Sequence, residues 1–127
     1  NVLLGASVWS LQTNAARGVV MNEAVKLVGT ATGCGSLTNP GPFAPKQWFS
    51  IKFDLDDGTY VASGTCDITS NDVPTRGLML AGCALTLVRM PEGVLGGIAT
   101  SASVFNPANL PGFGTGSVWT LHLYTAD

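Results

Sequence analysis

WFSIKFDLDDGTYVASGTCDIT, residues 48–69, decides the fold class. Phe49, Ile51, Phe53 and Leu55 alternate with Ser50, Lys52 and Asp54, the two-residue period of a strand with one face in a core and one in water. Asp57-Gly58 then marks a tight hairpin, because the central positions of a two-residue turn favour residues that tolerate positive φ. With that dipeptide at the centre, Leu55 faces Tyr60, Phe53 faces Ala62, Ile51 faces Gly64 and Phe49 faces Cys66. All the large apolar groups then share one face.

The same β grammar extends in both directions. Residues 1–11 (NVLLGASVWSL) read as a strand and QTNAARG as a polar link. In residues 18–33 (GVVMNEAVKLVGTATG), Met21, Val25 and Val28 have helical spacing, but the flanking GVV and TATG favour extended chain. Residues 35–46 form a loop whose prolines forbid a central strand. SNDVPT leads into GLMLAGCALTLVRM, Pro91-Glu92-Gly93 turns the chain into VLGGIATSASVF, and NPANLPGFGTG precedes SVWTLHLYT. The expectation is an all-β chain: one domain over residues 1–127, an antiparallel β-barrel or sandwich of about seven to eight strands.

Hydrophobic residues make up 46% of the 127 and charged residues only 11%, against roughly 25% in an ordinary soluble domain. Such a chain is not disordered, since disorder requires low hydrophobicity and high charge. The cations Arg17, Lys26, Lys46, Lys52, Arg76 and Arg89 are scattered and form no stripe for phosphates, so no nucleic-acid partner is expected. The apolar runs fall far short of the roughly 20 residues of a spanning helix, so no membrane span is expected. The Ser/Thr/Gly-rich, charge-poor composition, on a chain that begins at Asn1, points to a secreted or cell-surface protein.

Residues capable of chemistry are few and dispersed. Asp54, Asp56 and Asp57 resemble part of a calcium loop, but the glutamate needed eleven residues after Asp54 is replaced by Thr65. The glycine-rich residues 112–116 precede a strand, not a phosphate-holding helix. There is one histidine, His122, and no serine elbow. No cofactor, metal site or catalytic set is expected. Tyr60, Arg89 and His122, with Glu23, are the polar groups that a ligand-binding barrel could turn inward, although alternation sets His122 opposite to Trp119, Leu121 and Leu123, and Arg89 also reads as a rim residue. A turn centred in SNDVPT brings Cys66 opposite Cys83, as a disulfide or as two small buried thiols. Cys34 is left odd.

The segment after SNDVPT is apolar on both faces. With Met90 opposite Gly93, one face carries Met79, Ala81, Cys83, Leu85 and Leu87; the other carries Leu80, Ala84 and Val88, beside Leu95, Ala99 and Phe105 of the next strand. A half-buried strand should alternate, so this second face is expected to be an interface, in a homo-oligomer or beneath residues 1–33. Two functions compete at this level: a non-enzymatic exported β protein acting by self-assembly or by binding a partner or surface, and a barrel holding a small hydrophobic ligand, with cyclase or isomerase action inside its cavity.

Overall fold

The computed structural model of the chain describes the backbone of residues 2–16, 19–35 and 47–126, and the side chains of residues 5–12, 25–35 and 47–126. Seven strands follow one another: β1 (Val2–Ala16), β2 (Val19–Gly35), β3 (Gln47–Leu55), β4 (Gly58–Ser70), β5 (Met79–Arg89), β6 (Val94–Phe105) and β7 (Gly116–Thr125). They pair antiparallel in chain order as one curled sheet, a half-barrel, and the described residues contain no helix. Strands in such a meander alternate in direction, so β1 and β7, both odd, run parallel to each other. Closing the barrel through them would insert a parallel ladder into an antiparallel sheet. Each is instead an edge.

Of the segment 18–33, the described residues 19–33 are strand, as their flanks suggest, and β1 runs on through most of the segment expected to be a link, as far as Ala16. Residues 36–46, most of the expected proline loop, lie outside the described residues.

Two registers differ from the sequence expectation, with opposite consequences. In the β3–β4 hairpin the turn is Asp56-Asp57, and Leu55 pairs with Gly58, Phe53 with Tyr60, Ile51 with Ala62 and Phe49 with Gly64. Gly58 is the first residue of β4 and takes φ of +139°; a Cβ there would sit 2.7 Å from Pro91 Cγ. This is a shift by two, and an even shift leaves each side chain on its face. Between β5 and β6 the shift is by one: Leu85 pairs with Ala99 and Met79 with Phe105. An odd shift exchanges faces, so Ala99 and Phe105 belong to the concave side. Ala99 is fully buried.

The concave face carries the core: Ile51, Phe53, Tyr60, Ala62, Leu85, Leu87 and Ala99 are buried together. Trp119 of β7 reaches across the curl to β3, stacked on Phe49 at a centroid distance of 6.4 Å and edge-on to Phe53 at 5.5 Å. Phe49 lies flat against β2 because Gly33 and Gly35 have no side chains; a Cβ on either would meet its ring at 2.5 and 2.8 Å. Beyond Gly29, β2 no longer pairs with β3. There β1 and β2 continue as a two-stranded ribbon, on which Trp9, Leu11, Val25 and Leu27 are exposed.

Candidate functional site

Curling a seven-stranded sheet without closing it leaves a trough. Around Tyr60, Ala62, Leu85 and Leu87 it is filled by the core, whereas along β1–β3 and past Trp119 it opens into a cleft of about 1190 Å³ with walls from all seven strands. Its open end is formed by Phe49, Ile68, Met79, Ala81 and Phe105, with the disulfide between Cys66 and Cys83 in its floor. Polar groups there are few. Ser103 is buried and shares a hydrogen bond with the Ser117 hydroxyl across β6 and β7, so the pair presents little unsatisfied polarity.

The loop of residues 106–115 is held by one side chain. The Asn106 amide donates to the carbonyls of Leu110 and Phe113, both at 3.0 Å, and its Oδ1 accepts from the Leu110 N–H at 2.8 Å. The Asn106 N–H in turn donates to Thr115 Oγ1 at 3.1 Å. The glycine-rich stretch is therefore anchored at the start of β7.

The three expected ligand-facing groups do not converge. Tyr60 is 3% exposed and lies in the filled end, where its hydroxyl donates to Asp57 Oδ2 at 3.0 Å. Burial, and then the hydrogen bond and negative charge of Asp57, raise its pKa above the usual tyrosine value. Arg89 is exposed beside a register break that places it opposite Val61, and His122 is exposed opposite Ile98 on the convex side. None of the three lines the cleft. The Glu23 side chain lies outside the described residues.

Cys66 and Cys83 are direct partners on β4 and β5, with Cα atoms 4.0 Å apart, and are disulfide-bonded. Cys34 is a free thiol on β2. The aspartates of the β3–β4 turn are engaged locally: Asp54 accepts from the Thr59 hydroxyl at 2.8 Å and lies 3.5 Å from Lys52, while Asp56 lies 3.8 Å from Lys26. Among the described residues, no three His, Cys, Asp or Glu side chains gather as a metal site.

Of the six expected interface residues, Leu80, Ala84, Val88 and Leu95 point outward, Ala84, Val88 and Leu95 being exposed. Leu95 faces out because the β6–β7 ladder skips it. Ala99 and Phe105 do not belong to that face: the one-residue shift turns them inward, Ala99 into the core and Phe105 into the cleft. Ile98 and Val118, both exposed, take their place on the convex side. The lining of the cleft was not legible in the sequence, which pointed to Tyr60, Arg89 and His122, because its walls are ordinary apolar strand residues. The one available signal was a small residue, Ala81, at an inward position where a filled core would hold a large one.

The chain is thus a charge-poor antiparallel β half-barrel with an apolar cleft on its concave side. No family model, characterised protein or solved structure matches it. Among the described residues, no helix is long and apolar enough to cross a membrane.

Proposed function

We propose that the protein is a non-enzymatic binding protein whose concave cleft holds an elongated hydrophobic ligand. The observation that carries this reading is the cleft of about 1190 Å³, walled by Phe49, Ile68, Met79, Phe105 and Trp119. Sites for small molecules are concave, mostly apolar and about 300 to 1,000 Å³ in size, with few polar groups. An open apolar surface of this kind is costly in water, at about 25 cal/mol per Å² of apolar area, and a hydrophobic occupant recovers that energy. Tyr60, Arg89 and His122 stand outside the cleft, so cyclase or isomerase chemistry finds no support. The disulfide is compatible with an extracellular location, and we place the protein outside the cell on that ground and on its composition.

Titration with a fluorescent polyene fatty acid tests this reading, with energy transfer from Trp9, Trp48 and Trp119, all of which line the cleft, as the signal. Saturation at one probe per chain is expected; a linear, non-saturating response would contradict it.

Self-association is a second reading, favoured by the convex side of β5–β7. There Val88, Leu95, Ile98, Val118 and Tyr124 are exposed, and neither β6 nor β7 contains a charged Asp, Glu, Lys or Arg. Exposed apolar side chains gathered on a face without formal charge suit an interaction site in a soluble protein.

A further inference from the structure

We propose that β7 is the strand through which the chain dimerises, pairing edge to edge with β7 of a second copy. The proposal rests on the self-association reading and gives it a strand, a partner and a symmetry. An edge strand presents a row of unpaired N–H and C=O groups, and proteins guard such rows with charges, prolines, bulges or short length. Neither edge strand of this sheet contains Asp, Glu, Lys, Arg or Pro, and the two differ in the regularity of their ladders. The β1–β2 ladder is interrupted mid-strand at Val8/Trp9 and Ser10/Leu11, where β2 supplies the extra residues Val28 and Val25, and such bulges increase the local twist of the ribbon that carries β1. β7 has a single register shift, at its last pair, Tyr124/Thr125, where β6 supplies the extra residue Leu95. It is ten residues long, contains no Asp, Glu, Lys, Arg or Pro, and pairs with β6 without interruption from Gly116 to Tyr124. Among the described residues, it is bonded on the β6 side alone.

Symmetry selects the partner. Closure onto β1 of the same chain would be parallel, because both strands are odd-numbered in the meander. A two-fold axis normal to the sheet, beside Thr120 or Leu121 at the middle of β7, pairs the strand antiparallel with its own copy. It also keeps every side chain on its own face, so Val118 and Tyr124 of both copies join one convex surface while Leu121 and Leu123 of both stay on the concave one. The contact is isologous and needs no charge complementarity, which a strand without formal charges does not offer.

The test uses the full chain with Cys34 alkylated, so that an intermolecular disulfide cannot account for a dimer. Light scattering should give twice 13.1 kDa for the wild type at high concentration. Thr120→Lys sets cations face to face, or nearly so, across the pair, and should weaken the dimer at least about tenfold. Mixing the Thr120→Lys and Thr120→Glu chains should restore it as a heterodimer, a result unavailable to a variant that merely misfolds. Thr86→Lys, exposed on the convex face of β5, should leave it intact. A dimer broken by Thr86→Lys but not by Thr120→Lys would overturn the edge while sparing self-association. One indifferent to both substitutions would also overturn the edge. A monomer at every concentration would overturn both.

Discussion

The two ends of the concave face are made of the same strands and the same kinds of residue, yet one is a core and the other a cleft. At the filled end Phe53, Tyr60, Leu85 and Leu87 are nearly inaccessible, because large side chains from β3, β4 and β5 meet there and Trp119 covers them from β7. At the other end the Phe49 ring covers Gly33 and Gly35, the inward positions opposite are the small Ala81 and Ser103, and the larger Phe49, Met79 and Phe105 stay partly exposed. Volume, not hydrophobicity, separates the two. The same apolar face stabilises the fold where it is filled and is free to bind where it is not.

Substitutions should expose that contrast. Phe53→Ala removes a ring from the filled end and should cost about 3 to 5 kcal/mol in urea unfolding. Met79→Ala, on the open end, should cost about 1 kcal/mol or less, since its side chain is not enclosed. If the two costs were equal, the ends would not differ in packing. The disulfide fastens β4 to β5 in the floor of the open end with a sequence separation of 17, and the Cys66→Ser, Cys83→Ser double variant should lose about 3 kcal/mol. A loss confined to the open end would show as faster hydrogen exchange in β4 and β5 near Ile68 and Ala81, with Tyr60 and Leu87 still protected.

Tyr60 gives a small effect and a pH signature. Its pKa is raised by burial and by Asp57, so the folded state favours the protonated phenol. The associated stability is complete below the ordinary tyrosine value, and is lost as pH rises through the higher folded one. Unfolding followed at increasing alkaline pH should show this decline, and Tyr60→Phe should abolish the tyrosine part of it at a cost of about 1 kcal/mol near neutrality. An unchanged alkaline profile in that variant would place the phenol in water.

Much of the fold was legible because its signals are local. Alternation in Phe49, Ile51, Phe53 and Leu55 identified the inward face of β3, and that assignment survived a register error of two because parity is unaffected. The Cys66–Cys83 pairing was likewise within reach of a turn placed in SNDVPT. Register between β5 and β6 was not, because both faces of these strands are apolar and nothing in their pattern distinguishes one parity from the other. One residue in the Pro91-Glu92-Gly93 turn therefore moved Ala99 and Phe105 from the expected interface to the core and the cleft. The cleft depends on curvature and on a missing ladder between β1 and β7, long-range properties that no short stretch of sequence carries.

The central claim is that the open end of the concave face is a ligand site and not a defect of packing. Ala81 lines that end, so Ala81→Phe should fill it, and the variant can be titrated with the same fluorescent polyene fatty acid. The account predicts binding weakened at least about tenfold, with the urea midpoint unchanged or raised. Undiminished binding to a folded Ala81→Phe chain would contradict it.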